Sequence, residues 1–245
     1  ALNPGHGDSA NLYAVLDRPA LQAIAASEMI ANATMDFDAA WDAIIYDAIG
    51  LALPGYAAKQ ASFVNLLAHA ARQASIPFIV ACRGYYEPDQ RLPALADMEI
   101  DRLIFYCYNW QQAPYSISPL WWEKRCVEYA LEHLPANGLV LGIPLYARLW
   151  SDSDGGQNMT YIQAAQIIRE NGTPVTLVQD HPTGLIYEKY SAIGNDRIWL
   201  QDGDTIKARL ALVDEYGLAG AMLFCPGMGD ESVWQAIADW KQPRR

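Results

Sequence analysis

The chain has 245 residues, room for one α/β barrel or for one to two smaller domains. With 52% hydrophobic and 18% charged residues it is not a disordered chain and has enough apolar material for a large core. A formal charge of -11 repels phosphates and anionic lipid, so neither nucleic acid nor a membrane surface is an expected partner.

Ala1–Asn11 lacks the charged head and apolar stretch of a signal peptide and reads as a mature or truncated start. No run of about 18 apolar residues occurs, so no membrane-spanning helix is expected. From Trp41 onward strand-like and helix-like stretches alternate. Trp41–Ile49 is a short apolar run. Residues 57–75 form a helix with Phe63, Leu66, Leu67 and Ala70 at helical spacing. Ile76–Gly84 is a second strand, residues 91–100 a short helical link, and Asp101–Trp110 a third strand. A helix runs from about Leu120 to His133, and Gly138–Trp150 reads as a fourth strand. Residues 151–203 form a rim insert with one helix and two strand-like stretches joined at Ile193-Gly194-Asn195. A helix over Asp204–Leu218 ends with Gly217 as C-cap, Ala219–Gly227 is a fifth strand, and Asp230 is placed to cap a last helix.

Strands apolar on both faces and alternating with helices indicate a parallel sheet covered by helices. The pattern predicts a TIM-type (β/α)8 barrel over residues 1–245, incomplete at its N-terminus, with five clear strands and Ala1–Pro4 as a candidate tail of a sixth. An open barrel edge of this kind calls for a covering partner. The four cysteines have neither disulfide nor zinc spacing and read as buried free thiols. His69 and His133 are expected on helix surfaces, His6 and His181 in loops, with no metal-binding pair among them. Asp152–Gly156 lacks the later ligands of a calcium loop and reads as a turn. No metal or other cofactor is expected.

Four segments in order resemble glycoside hydrolase family 18, above all its bacterial spore-cortex and cell-wall branch. The family's fourth-strand D-G-x-x-x-D-x-E motif is matched by Asp42-Ala43-Ile44-Ile45-Tyr46-Asp47-Ala48-Ile49, its sixth-strand Met-Thr-Tyr-Asp by Tyr106-Cys107-Tyr108-Asn109, and its seventh-strand motif by an intact Gly142-Ile143-Pro144-Leu145-Tyr146. Residues 197–218 match the helix before the eighth strand, where Phe224 takes the place of a tryptophan. Asp8–Ala33 resembles the helix after the third strand, so the resemblance implies that strands one, two and most of three are absent.

The resemblance implies hydrolysis assisted by the substrate's own N-acetyl oxygen, with the protein supplying a glutamic acid to protonate the leaving oxygen. It also implies an aspartate and a tyrosine that hold the N-acetyl group. Asp47 and Tyr108 keep the last two places, but Ile49 stands at the acid position. An isoleucine donates no proton, and general acid catalysis is worth roughly 10²–10⁴-fold. Strand alternation would put Ile45, Asp47 and Ile49 on one face. Asp47 is then either a remnant or repurposed acid or a buried aspartate satisfied by Tyr106 or Tyr108. Glu87, after the strand ending at Gly84, is a candidate relocated acid or a solvated loop carboxylate. Tyr106, Asn109, Tyr146 and Phe224 complete the expected sugar-binding set, since aromatic faces stack on pyranose rings.

Three readings remain open: a barrel that binds an N-acetylated glycan without efficient hydrolysis, a scaffold in an envelope or phage-tail assembly with a protein over the open edge, and a glycosidase using a relocated acid. The compartment stays open, with envelope, extracellular or phage-particle settings favoured over cytoplasm.

Overall fold

The computed structural model describes residues 13–16, 43–49, 57–84, 99–108, 115–151, 155–181 and 183–241, with side chains from Val64 onward. Ala1–Pro4, His6, Glu87, Asn109, Asp152–Asp154 and the link over residues 91–98 lie outside them.

Six strands form one parallel sheet: β1 (Tyr13–Leu16), β2 (Ala43–Ile49), β3 (Phe78–Arg83), β4 (Arg102–Tyr106), β5 (Leu139–Pro144) and, further along the chain, β11 (Gly220–Phe224). Each strand pairs with its neighbour in that order, so among the described residues β1 and β11 are the sheet's two edges. The sixth strand corrects the helix expected over Asp8–Ala33 at Tyr13–Leu16, which pairs in parallel with Ala43–Tyr46; the rest of that stretch lies outside the described residues. The reason is local. Leu12–Leu16 is an unbroken apolar run, and Pro19 behind it biases Arg18 away from helix. Eight strands close a TIM-type barrel. Six of them are seen among the described residues.

Three helices cover the sheet: α1 (Ala57–Gln73), α2 (Leu120–Leu131) and α4 (Gly203–Glu215). Their apolar faces meet the strands in one core that includes Val64, Leu67, Phe78, Leu103, Phe105, Val127, Leu141, Ile206 and Leu210. Every residue of β5 is buried, as a central parallel strand covered on both faces requires. Helix α4 starts at an Asp202 capping box and is followed by Gly217 at φ 62°. The last helix, α5 (Glu231–Lys241), packs on α4. Asp230 lends its carbonyl to Val233 N–H, while its carboxylate accepts the Ser232 hydroxyl.

The expected fourth strand is two. The chain leaves the parallel sheet after Pro144 and enters a second, antiparallel sheet at Ala147, ahead of the predicted insert start at residue 151. This sheet has the order β7-β6-β10-β9-β8, built from β6 (Ala147–Ser151), β7 (Gly155–Met159), β8 (Thr176–Gln179), β9 (Ile186–Ile193) and β10 (Asp196–Leu200). The uniform apolarity of Gly138–Trp150 hides the break, since both halves are buried, one in each sheet. Helix α3 (Tyr161–Asn171), opened by a Thr160–Gln163 capping box, covers one face through Ala164 and Ile168 against Ala147, Ile198 and Leu200. The β6–β7 pairing brings Ser151 opposite Gly155 and Trp150 opposite Gly156, so the two glycines expected in a turn belong to β7, while Asp152–Asp154 lie outside the described residues.

Two smaller corrections concern single residues. His133 is half-buried rather than on the surface: its ring stands edge-on to Tyr129, 4.9 Å away, and its Nε2 is buried without a hydrogen-bond partner. Cys82, Cys107 and Cys126 are buried free thiols, but Cys225 is partly exposed. No helix among the described residues is long and apolar enough to cross a membrane.

Candidate functional site

In a barrel of this type the C-terminal ends of the strands carry the site. Here β4, β5 and β11 end in aromatic residues that converge. The Tyr106 and Tyr108 rings stack at 5.1 Å and 26°. Tyr108 stacks in turn on Phe224 at 5.1 Å and 19°. Tyr146, just beyond β5, stands across Phe224 at 6.2 Å and 77°. Tyr108, Tyr146 and Ile117 are buried together, while Phe224 is 41% exposed and opens the cluster to solvent. Stacked and edge-on geometries of this kind are the favoured ones for aromatic pairs.

Backbone features set these rings in place. Gly142 faces Tyr106 in the β4–β5 register, and a Cβ there would lie 2.9 Å from the Tyr106 Cβ. Phe224 is paired with Pro144, and its carbonyl accepts Leu145 N–H at 3.0 Å. Cys225 then takes φ 58°, a left-handed conformation that is uncommon outside glycine, and turns the chain away directly behind Phe224.

One charged group stands beside these rings. Arg148 is buried, with its guanidinium carbon 5.7 Å from the Tyr146 ring centre and 5.4 Å from that of Trp150. Its Nε donates to Asn158 Oδ1 at 2.9 Å, and burial pulls its pKa down. Burial pushes the Tyr146 hydroxyl up to about 12 against the opposing pull of Arg148, so it remains a neutral hydrogen-bond donor at neutral pH. The Trp150 indole donates to the carbonyl of Tyr115 at 2.6 Å and so ties the second sheet to the loop that leads into α2.

That loop rests on a fully buried ion pair. Arg209 Nε donates to Glu123 Oε1 at 3.1 Å, and its NH groups reach the carbonyls of Ser118, Tyr187 and Thr205. Ser118 Oγ donates to the same Glu123 oxygen at 2.5 Å. Burial raises the Glu123 pKa, against the lowering influence of Arg209 and Ser118. Glu123 Oε2 is buried without a hydrogen-bond partner. Sequence reasoning missed Arg148, Glu123 and Arg209. For Arg209 a signal existed: it lies three residues from Ile206 and four from Val213, on the apolar face of its helix.

The expected site residues divide accordingly. Tyr106, Tyr108, Tyr146 and Phe224 are brought together. Asp47 and Ile49 lie in β2, where Tyr46 pairs with Val80 and Ile49 with Cys82. The register shifts between those two pairs, so simple alternation does not carry across Asp47. Among the described residues, no group of three or more His, Cys, Asp or Glu is arranged to hold a metal ion.

Solved structures share this fold. A chitinase from Chromobacterium violaceum superposes with a TM-score of 0.72 at 21% identity, covering 83% of this chain and 67% of its own. The spore cortex-lytic enzyme SleL of Bacillus megaterium superposes with a TM-score of 0.69 at 16% identity, over 81% of this chain and 49% of its own. This is the chitinase-like barrel fold of glycoside hydrolase family 18. In sequence the chain is 25% identical over 148 residues to the cortical fragment-lytic enzyme of Bacillus subtilis, 57% of this chain and 34% of that protein. It is 23% identical over 134 residues to an uncharacterised glycosylase of the same organism. The chain spans about a third of the length of these two relatives. No family model matches it.

Proposed function

We propose that this barrel binds an N-acetylglucosamine-containing glycan of the peptidoglycan or chitin type and does not cut it efficiently. The reading is carried by the Tyr106–Tyr108–Phe224 stack with Tyr146 across it, a half-open aromatic site at the strand ends where such barrels hold ligands. It is supported by relatives named as a cortical fragment-lytic enzyme and chitinases, and by a structural neighbour, YKL-39, studied with chitooligosaccharides (TM-score 0.64, 15% identity). Asp47 and Tyr108 are assigned to the N-acetyl group, and Asn109 to the wider sugar-binding set. Tyr146 donates a hydrogen bond, and Phe224 stacks on the ring. Ile49 at the acid position removes the proton donor.

Calorimetric titration with chitooligosaccharides, beside a product assay, tests this. Heat of binding without turnover is expected, and Ile49→Glu should raise turnover from that floor. Absence of heat refutes the binding role. Efficient turnover by the unaltered chain refutes the impairment, and its loss in Glu87→Gln would then assign the acid to Glu87.

A second reading, a scaffold whose open edge is covered by a protein partner, is favoured by β11. That strand pairs only with β5 among the described residues, and Gly220–Leu223 are only half-buried. A monomeric chain with a two-state unfolding transition would argue against it.

A further inference from the structure

Ile117 packs with Tyr108 and Tyr146, two rings of the candidate site, and the serines on either side of it hold it there. All three residues of Ser116-Ile117-Ser118 are buried. Each serine hydroxyl donates to a carboxylate from a different part of the fold. Ser116 Oγ donates at 2.7 Å to Glu188 on β9 of the antiparallel sheet, and Ser118 Oγ at 2.5 Å to Glu123 on α2. The half-buried Glu188 also accepts the backbone N–H of Leu120, the first residue of α2, where a helix N-terminus favours negative charge.

The charges at this clamp do not balance. Arg209 is the cation that faces both carboxylates. It pairs with Glu123 at 3.1 Å and lowers the Glu188 pKa by its charge, while other N–H groups of the same guanidinium go to the carbonyls of Ser118 and Tyr187. The neighbouring titratable groups are the Cys107 thiol beside Glu123 and the Tyr187 phenol beside Glu188; burial raises both, so they are neutral at neutral pH. Two carboxylates and one guanidinium leave a surplus negative charge in an enclosed setting. Burial raises the pKa of both carboxyls, against the lowering pull of Arg209 and the serine hydroxyls. With folded pKa values above the unfolded ones, the clamp is most stable with a proton aboard, and that stabilisation is lost as pH rises through the folded values.

We propose that Glu188 and Glu123 are positioning residues for the aromatic pocket, acting through Ser116 and Ser118 on Ile117, and that the pocket is set best when the clamp holds one proton. Glycan binding is then tighter in mild acid than above neutral pH. The inference rests on the glycan-binding reading for its ligand and adds the regulation of that site.

The test measures chitotetraose affinity of the full chain by calorimetry at about pH 5 and about pH 8, with hydrogen-exchange protection of the Ile117 and Ser118 amides measured without ligand at the same values. Chitotetraose carries no group that titrates in this range. Affinity should fall at least about fivefold from the acid to the alkaline condition, the lower end of ordinary coupling between sites, and amide protection should fall with it. Glu188→Gln keeps an acceptor oxygen for Ser116 and removes the surplus charge. Its alkaline affinity should rise to the acid value of the unaltered chain, and its pH dependence should flatten, which separates the clamp from any titration of Asp47. Ser116→Ala cuts the link but leaves both carboxylates, and its affinity should be low under both conditions. A merely structural brace predicts loss in both variants, so weaker binding by Glu188→Gln under both conditions overturns the proposal. Unchanged affinity in Ser116→Ala also overturns it, as does a pH-independent affinity in the unaltered chain. A chain that binds no chitotetraose under either condition refutes the glycan reading. The clamp is then decided by the amides: protection that drops toward alkaline pH in the unaltered chain and not in Glu188→Gln upholds it, and any other pattern overturns it.

Discussion

Replacing Arg209 with methionine isolates the buried ion pair. The substitution leaves Glu123 buried without its counter-ion and withdraws donors from the carbonyls of Ser118 and Tyr187. Breaking a buried pair by removing one partner costs about 3–5 kcal/mol. Part of that loss is electrostatic and should depend on pH. Burial already raises the Glu123 pKa with Arg209 present, and removing the arginine raises it further. A carboxyl whose folded pKa exceeds its unfolded value of 4.5 stabilises the fold below that value, and the stabilisation is lost as pH rises through the folded pKa. The penalty of Arg209→Met should therefore be larger at pH 7 than at pH 4, where the unfolded and folded carboxyls both carry protons. Urea denaturation of both proteins at the two pH values measures this. A further variant, Glu123→Leu with Arg209→Met, should recover much of the loss, because apolar replacement of a whole buried pair is often neutral. A penalty below about 1 kcal/mol, or one that does not shrink in acid, would refute the claim that this pair braces the loop.

Three other outcomes are expected. Gly142→Ala should destabilise the fold by about 1–3 kcal/mol, since its methyl would press on Tyr106 at 2.9 Å; an unchanged denaturation midpoint would deny the close approach. The Tyr146 hydroxyl, raised from the ordinary 10.0 to about 12, favours the fold below pH 10 and loses that contribution as pH rises toward 12; Tyr146→Phe should flatten the fall in stability across this window. Asp202→Ala removes a helix cap that accepts the N–H groups of Asp204 and Thr205 and an ion pair to Lys189 at 2.6 Å; a loss of about 1–2 kcal/mol in thermal or urea unfolding is expected.

The legible parts of this fold were those where one physical signal dominates. β3, β4 and β11 are apolar runs between turn residues, and α1 and α4 carry regular apolar stripes. β1 has only four residues, too few to separate from a helix fragment by periodicity. β7 reads Gly-Gly-Gln-Asn-Met, a sequence with little strand preference of its own, and is a strand because β6 pairs with it. The aromatic cluster could be anticipated because Tyr106, Tyr108, Tyr146 and Phe224 fall at the ends of recognisable strands. Arg209 left one trace, its place on the apolar face of α4, but Glu123 left none, because its interior position shows only through a partner 86 positions away. Asp47 shows the limit of counting by twos, since an irregularity in β2 intervenes beside it.

The passage from β5 to β6 spans only Leu145 and Tyr146, both buried. One stretch of backbone thus belongs to two sheets, and the residue at their junction carries a ring of the candidate site. Tyr146 is thereby held from both sides, with no exposed linker between the sheets. Whatever fixes the second sheet at Ala147 therefore also fixes the ring that stands across Phe224.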